Sequence, residues 1–453
     1  MTNTLYLPEL REMLADRNVA ELREFCTALH PARTAEFMEG LTPTESWEVL
    51  RHADAGTRAE IFHYLPRERQ VEIIESDDRA EMGRFLADLA SDDRVDILND
   101  VSPQVVEELL PFTPAEARRD IFRLRAYPEG TAGAVMTTDF ARLSENQSVT
   151  EAIEAVRKQA EKSETIYYLY VVDDEDHLRG VVSLRQLVLA KPTTVVGDLM
   201  ERALVSVNVN DDQEEVAKAL ARYDLQAIPV TDDERHLLGI VTSDDVIDVV
   251  REEATEDAHR IGAVAPLTQG YLETPLRTIT WKRAIWLTLL FCGGIFTAST
   301  LHRYADAIET IPWLLLFVPL VISTGGNSGS QSATLVITAM STGDVLHRDW
   351  LRVVRRELIT GLLLGSILGT IGYLAAFYFT RNLRDSLIIP LTVIMVVICG
   401  TLIGSSLPML FRRLGLDPAI MSTPFVSGIV DILGIVIYME IAIHLLHLVA
   451  APQ

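Results

Sequence analysis

The chain has 453 residues, of which 40 are Lys or Arg and 64 are Asp or Glu, giving a formal net charge of −24. This acidic balance argues against nucleic-acid binding, which depends on a surplus of basic side chains, and we expect no nucleic-acid partner. Cys26, Cys292 and Cys399 lie too far apart in the chain to predict a disulfide framework or a zinc cluster.

Residues 1–125 predict a succession of short helices, with apolar residues three or four positions apart and Pro, Gly, Ser or Asp at the ends. Weak similarity between helix pairs indicates a small all-α solenoid over residues 1–127, which by itself suggests only an interaction module. The predicted helices are Leu7–Ala15, Val19–Ala28, Pro31–Gly40, Pro43–His52, Ala55–Tyr64, Arg67–Ile74, Asp78–Leu86, Ser91–Asn99, Val101–Leu110 and Pro114–Leu124.

Residues 132–250 contain an internal repeat. Asp173 and Gly180 of one copy recur as Asp232 and Gly239, each 59 positions later. Each copy predicts a helix, an apolar strand, an acidic turn, a strand and a helix. The repeat resembles a tandem α/β CBS pair over 128–250, a regulatory module that commonly dimerises and often binds adenine nucleotides. An unrelated duplicated α/β domain is the alternative.

An acidic segment connects the repeat to the rest of the chain, over residues 243–270. Seven carboxylates fall within residues 244–257, and at helical spacing several lie on neighbouring ridges. Like charges at this spacing destabilise a helix by a few tenths of a kcal/mol each. Divalent cations bind clustered oxygens and would remove that repulsion, so the segment predicts either a cation sensor or a solvated acidic helix.

The chain from residue 271 onward is apolar. It contains 12 basic and 10 acidic residues, whereas residues 1–270 contain 28 basic and 54 acidic residues, a net charge of −26. A helix needs about 20 apolar residues to cross a bilayer. We therefore predict five membrane spans, at 282–301, 313–340, 357–380, 386–411 and 421–447, because no amphipathic shell is available to bury five such helices in a soluble protein.

The orientation follows from the flanking charges. Met1–Leu10 has no basic and apolar signal segment. Nine basic residues flank the predicted inner ends of the spans and three the outer ends, the positive-inside pattern. We expect a multi-pass protein of a bacterial-type inner membrane, with a cytoplasmic N-terminus and the C-terminus outside.

Asp431 lies near the middle of the fifth span, where a carboxylate costs about 3 kcal/mol or more unless it meets water or a partner. Apart from Lys282 and Arg283 at the inner end of the first span, no Lys or Arg lies within a predicted span to neutralise it. Ser427, Gly428 and Gly434 share its helix face, and small residues allow backbones to approach and carbonyls to face a pore. The pattern predicts a cation path; a structural hydrogen bond to a neighbouring helix is the alternative.

The second span contains a polar segment, residues 323–331, which includes Gly325, Gly326 and Asn327. It predicts a broken or closely packed helix that offers carbonyl and amide oxygens. Glu357 and Asp417 lie near inner span ends, where they would collect cations or serve as ordinary helix-end charges. No phosphate-binding loop or catalytic triad is apparent, which argues against a pump or an enzyme.

Five motifs occur in order along the chain: Tyr127–Gly133 with Met136-Thr137, Thr255-Glu256-Asp257, Gly325–Gln331, Asp417-Pro418-Ala419 and Asp431-x-x-Gly434. Together with the CBS-like repeat, they resemble the MgtE family of magnesium channels and transporters over essentially the whole chain. The resemblance implies a multidomain membrane protein with an all-α cytosolic domain, a CBS pair, a connecting "plug" helix and a five-helix transmembrane domain, assembled as a homodimer in a lipid bilayer. No obligatory protein partner is indicated.

The resemblance further implies that Mg²⁺ is both transported and regulatory. Asp431 of each subunit would hold hydrated Mg²⁺ in the pore, Mg²⁺ would enter down its gradient, and cytosolic Mg²⁺ would close the pore. Transport of Co²⁺ or Mn²⁺, a carrier mechanism, a non-conducting cation sensor and ATP binding by the CBS pair all stay open. The implied regulatory ligands are Asp92, Asp93, Asp96, Glu214, Asp224, Asp245, Asp248, Glu253, Glu256 and Asp257.

Overall fold

A computed structural model describes residues 6–267, 270–272, 274–415, 417 and 423–446. Residues 421, 422 and 447 of the predicted fifth span, and residues 268 and 269 of the acidic segment, lie outside these ranges. The chain forms two compact units that divide at Val250.

The first unit begins with the predicted run of short helices. Their apolar faces meet in one core, where the ring of Phe85 packs edge-on against Trp47 and Phe62 with centroids 4.8 and 4.9 Å apart. Thr42 opens the helix Pro43–Leu50 with a capping box, which satisfies two backbone N–H groups at the helix start. The helices are α1 Leu7–Ala15, α2 Val19–Ala28, α3 Pro31–Met38, α4 Pro43–Leu50, α5 Ala55–His63, α6 Arg67–Ser76, α7 Arg79–Phe85, α8 Ser91–Asp100, α9 Pro103–Leu109 and α10 Ala115–Leu124.

The repeat folds into two three-stranded sheets within the described chain, ordered β1-β2-β3 and β4-β5-β6. In each sheet the first pair is parallel and the second antiparallel. The first strand of each sheet was missing from the sequence prediction. The elements are β1 Phe140–Ser144, α11 Val149–Gln159, β2 Thr165–Val172, β3 Leu178–Ser183, α12 Leu184–Leu189, α13 Val196–Leu199, β4 Val207–Asn208, α14 Gln213–Tyr223, β5 Ala227–Thr231 and β6 Leu237–Thr242.

The two copies exchange contacts in a pseudo-symmetric way that explains the repeated glycines. A Cβ atom on Gly180 would lie 2.6 Å from Sδ of Met200, and one on Gly239 would lie 2.7 Å from Sδ of Met136. The methionine that precedes each copy therefore packs onto a glycine of the other copy. Only a residue without a side chain leaves room for this contact.

The second unit contains long helices, preceded by the acidic helix α15, which crosses the division between the units. Among the described residues, four helices are long and apolar enough to cross a membrane: α16, α19, the segment Asp385–Arg413 that includes α20, and α21. The predicted second span, α18, is a 29-residue helix that carries the polar segment. The helices are α15 Ser243–Ile261, α16 Leu276–Arg303, α17 Ala305–Thr310, α18 Trp313–Ser341, α19 Trp350–Thr380, α20 Ile388–Arg413 and α21 Thr423–Leu446. The sequence did not predict α17.

The polar segment of α18 is helical, so of the two predicted alternatives the structure has the closely packed helix. A Cβ on Gly325 would overlap Val396 of α20 and lie 2.8 Å from Val430 of α21. A Cβ on Gly400 of α20 would lie 2.7 Å from the carbonyl oxygen of Gly325. The glycines let α18, α20 and α21 approach at backbone distance, the packing that small residues permit in membranes.

Candidate ion-binding sites

Asp431 is the ninth of the 24 residues of α21 and lies on the side that faces α18. Two hydrogen bonds fix these antiparallel helices on either side of it: Ser330 Oγ donates to the Thr423 carbonyl at 3.1 Å, and Tyr438 donates to the Leu314 carbonyl at 2.9 Å. Asp431 is half-buried, and its Oδ1 has no hydrogen-bond partner among the described residues. A buried carboxylate oxygen left unpaired is costly, so this atom is available to a ligand or to water.

The predicted neighbours of Asp431 fall into two groups. Ser427 and Gly326 stand beside it: a Cβ on Gly326 would overlap Ser427 Oγ and lie 3.2 Å from Asp431 Oδ1. Gly434 is buried against Val396, 3.5 Å from an added Cβ, and so serves helix packing.

Two further predicted residues lie on more open parts of these helices. A Cβ on Gly428 would meet nothing within 4 Å in the described part of the chain. Asn327 is exposed and donates to Ser323 of its own helix at 3.3 Å. The segment from Gly325 to Asn327 therefore places only its two glycines against neighbouring helices.

The two inner-end carboxylates have protein partners. Glu357 accepts a hydrogen bond of 2.6 Å from Ser332 of α18, while its backbone carbonyl accepts one of 3.2 Å from Thr401 of α20. Asp417 forms an ion pair with Arg260, near the end of α15. Each carboxylate thus joins two elements of this unit.

The first unit brings several predicted regulatory residues together where α8 meets the start of α15. Asp93 pairs with His63 at 3.0 Å, and both line a cleft of about 260 Å³ that Asp96 and Asp248 also line. Asp92 is buried, and its Oδ1 has no partner among the described residues. Asp245 accepts a hydrogen bond of 2.6 Å from Thr242.

Burial and mutual repulsion disfavour the charged forms of these acids. Burial, followed by the charge of Asp245, raises the pKa of Asp92 well above its ordinary value. Burial also raises the pKa of Asp245 to about 6, with Asp244 and Asp93 adding to the effect. A divalent cation would reverse this balance, because it favours the ionised carboxylates that ligate it.

Sequence reasoning missed three members of this group. Glu164 is exposed to solvent on one side, but protein atoms surround the rest of its carboxyl group. This partial desolvation, followed by the charges of Asp245 and Asp244, raises the pKa of Glu164 to about 7. The hydrogen bond from His63 to Asp93 raises the histidine pKa, and Asp245 and Asp248 contribute. Asp244 belongs to the acidic run 244–257 but was not chosen as a ligand. No local motif marks Glu164 or His63, since only the fold brings them to this group.

The remaining predicted ligands form separate groups. Glu214 pairs with Lys218 at 2.9 Å, while Asp224 ends the same helix ten residues later, about 15 Å along its axis. Glu256 pairs with Arg260, and Glu253 and Asp257 also have interaction partners. Within the described residues, no three His, Cys, Asp or Glu side chains form a complete metal-binding group.

The CBS repeat contains an open pocket of about 450 Å³ next to the first copy. It is lined by both apolar and polar side chains, with Arg185 as the basic group and Glu201 as the acidic group. An arginine beside an apolar wall can bind phosphate while the wall packs against a base.

Three family models match successive parts of the chain. A model described as a divalent cation transporter, MgtE, matches residues 318–441; the MgtE intracellular N domain matches 29–130, and CBS domains match 132–192 and 196–252. The magnesium transporter MgtE of Thermus thermophilus is 37% identical over 394 residues, which cover 86% of this chain and 87% of that protein. The chain belongs to the MgtE family.

Two solved structures resemble the cytosolic part of this MgtE chain. The soluble part of a magnesium transporter superposes with a TM-score of 0.52 and 36% identity, covering 55% of this chain and 97% of the other. The cytosolic domain of the Mg²⁺ channel MgtE in complex with ATP gives 0.50 and 35%, covering 53% and 98%. MgtE proteins are transporters, so the chain is a membrane protein and not an enzyme.

Proposed function

We propose that this MgtE protein is a homodimeric channel or transporter of a bacterial-type inner membrane that admits Mg²⁺ past Asp431 down its electrochemical gradient. The name of the Thermus relative supports magnesium as the ion. The observation that carries the proposal is Oδ1 of Asp431, which lies in a membrane helix beside the backbone of Gly326 and has no hydrogen-bond partner in the described part of the chain.

The proposed path suits the chemistry of magnesium. Mg²⁺ dehydrates reluctantly and usually keeps several waters, so it needs few carboxylates and room for a hydration shell. Two copies of Asp431, one from each subunit, would hold the hydrated ion through water. The membrane potential supplies about 2.3 kcal/mol per charge per 100 mV, so entry of a divalent ion needs no ATP hydrolysis.

The proposed regulation depends on the acidic group between α8 and α15. Cytosolic Mg²⁺ bound among Asp92, Asp93 and Asp245, with Asp248 and Glu164 nearby, would stabilise the arrangement that closes the pore. The reason is linkage: an ion that binds one state better shifts the equilibrium toward that state. In the absence of Mg²⁺, the crowded carboxylates repel one another, and this repulsion favours separation of α8 from α15.

The proposed nucleotide site is the pocket beside the first CBS copy. The ATP complex of the related cytosolic domain supports this assignment, as does the presence of Arg185 at the pocket wall. ATP would act there as a regulatory ligand, since the chain is not an enzyme.

The test is ion flux into proteoliposomes that contain the full chain. We expect Mg²⁺ uptake by the wild type, a loss of at least about tenfold in Asp431→Ala, and uptake unaffected in Asp344→Asn, an exposed loop acid between α18 and α19. Parallel measurements with Co²⁺ and Mn²⁺ decide whether another divalent ion is preferred. Wild-type vesicles that pass none of the three ions would favour a non-conducting sensor and contradict the proposal.

A further inference from the structure

Arg260 lies in the last turn of the acidic helix and contacts two carboxylates at once. Its Nη2 pairs with Glu256, one turn earlier in α15, and its Nη1 pairs with Asp417, in the chain between α20 and α21. The arginine side chain is 34% exposed, and each carboxylate is 29% exposed. The pairs are therefore partly shielded from water, where ion pairs are screened less than at an open surface.

A second contact joins the same two parts of the chain. Thr423, the first residue of α21, donates a hydrogen bond of 3.3 Å to the carbonyl oxygen of Ile261. The Ile261 side chain also packs against the buried apolar cluster of this unit, to which Val426 and Val430 of α21 belong. The end of α15 is thus attached to the start of the helix that carries Asp431, eight residues or about 12 Å beyond Thr423.

The chemistry of this junction is that of a bridging cation. A guanidinium group is planar, always charged and able to give separate N–H donors to two carboxylates. It neutralises acids from two different elements, as a divalent ion would. Unlike an ion, it is covalently tethered and does not dissociate when the free cation concentration falls.

We propose that Arg260 is a built-in counter-ion that keeps the acidic helix coupled to the pore helix at every cytosolic Mg²⁺ concentration. It is a positioning residue: it transmits movement of α15 to α21 without contacting the transported ion. This inference rests on the proposed gating by cytosolic Mg²⁺. It adds that cation binding near α8 closes the pore only while this junction is intact.

Full-length protein in proteoliposomes tests the inference with two readouts in the same sample. One is the Mg²⁺ concentration that half-inhibits flux, and the other is the Mg²⁺ concentration that protects the cytosolic part from limited proteolysis. In Arg260→Gln we expect protection at the wild-type concentration, while half-inhibition shifts upward by at least about fivefold. Arg260→Lys keeps the positive charge but loses the planar guanidinium that donates to two carboxylates, so its shift in the half-inhibiting Mg²⁺ concentration should be smaller. Arg277→Gln, at an exposed arginine on the first turn of α16, is the matched control and should behave as wild type.

The outcomes separate this inference from the proposed function. If wild type is inhibited by Mg²⁺ and Arg260→Gln is inhibited at the same concentration, the coupling role is wrong and the gating proposal stands. If wild type shows no inhibition, both fail. Should Arg260→Gln not fold, the charge exchange Arg260→Asp with Asp417→Arg decides: restored inhibition supports the junction, and continued loss in a folded double variant overturns it.

Discussion

At the scale of single residues, Gly326 is where the backbone of α18 lies beside the candidate ion path. An alanine Cβ there would overlap Ser427 Oγ and stand 3.2 Å from Asp431 Oδ1. Overpacking of this kind costs about 1–3 kcal/mol, and here the strain falls on the geometry around the carboxylate. We expect Gly326→Ala to lower Mg²⁺ flux on the order of tenfold, measured in proteoliposomes.

The control is Gly293→Ala in α16, because a Cβ on Gly293 meets nothing within 4 Å in the described residues. Both variants replace a helical glycine with alanine, and this exchange by itself stabilises a helix by about 0.5–1 kcal/mol. The difference between the two variants therefore reports the surroundings of each glycine. Equal flux in the two variants would mean that Gly326 does not border the path.

Asp92 gives a prediction about pH. Burial and the charge of Asp245 raise its pKa in the folded protein well above the ordinary 3.8. Above pH 3.8 the folded protein therefore holds a proton that the unfolded chain has lost, and stability falls as pH rises toward the folded pKa. In chelator at about pH 8 we expect Asp92→Asn to melt about 2–6 °C higher than wild type, and the difference should shrink on acidification.

Added Mg²⁺ should narrow or reverse that difference in melting temperature, because it stabilises the protein with all the carboxylates of the group more than the variant that lacks one. Asp16→Asn, at an exposed turn between α1 and α2, serves as the control for removing one negative charge. A melting temperature of Asp92→Asn below that of wild type in chelator would show that the ionised carboxylate stabilises the fold.

At the scale of elements, the contact between α19 and α20 depends on a line of glycines. A Cβ on Gly365 would lie 2.8 Å from the Cα of Ile394, and one on Gly369 would lie 3.2 Å from the carbonyl oxygen of Pro390. Backbone atoms cannot relieve such a clash by a change of rotamer, as a side chain can. We expect Gly365→Val to destabilise the protein by at least about 1–3 kcal/mol, seen as a lower melting temperature and less monodisperse protein in detergent.

The matched control lies on the other face of the same helix. Ile367 is 61% exposed in the chain, so Ile367→Ala changes the same helix at a position that is not buried against α20. A melting temperature of Gly365→Val equal to that of Ile367→Ala would contradict the glycine-mediated contact.

Elements with strong periodicity were predictable from the sequence, and those defined by partners were not. The short helices before residue 125 and the long apolar helices follow from local spacing and hydropathy. Strand β4 has two residues, Val207–Asn208, and exists because it pairs with β5, which no local pattern reveals. Likewise, glycines and hydroxyls in α18 suggested a possible break, whereas packing against α20 and α21 keeps the segment helical.

The same distinction applies to the candidate sites. A carboxylate inside an apolar span is energetically unfavourable and therefore indicates a functional site, so Asp431 could be identified from the sequence. Glu164 and Asp245 are distant in the chain and approach each other only in the fold. The pairing of Asp417 with Arg260 was equally invisible, because an acidic residue near a helix start has many possible partners.

At the scale of the whole molecule, charge is divided between a polyanionic part and a nearly neutral membrane part. The 54 acidic residues before position 271 make the cytosolic surface responsive to any cation through screening alone. Specific regulation must therefore be distinguished from a general charge effect, which calls for variants that remove equal charge at different places.

The double substitution Asp245→Ala with Asp248→Ala removes two carboxylates from the group around α8, and Glu9→Ala with Glu12→Ala removes two exposed ones from α1. If Mg²⁺ closes the pore by binding the group, the first pair should keep flux high at Mg²⁺ concentrations that inhibit wild type, with the midpoint raised about 5–150-fold. The second pair should leave the midpoint near that of wild type. Equal shifts of the midpoint in both double variants would mean that Mg²⁺ acts by screening the net charge. Unchanged inhibition in the first double variant would mean that Asp245 and Asp248 are not part of the sensor.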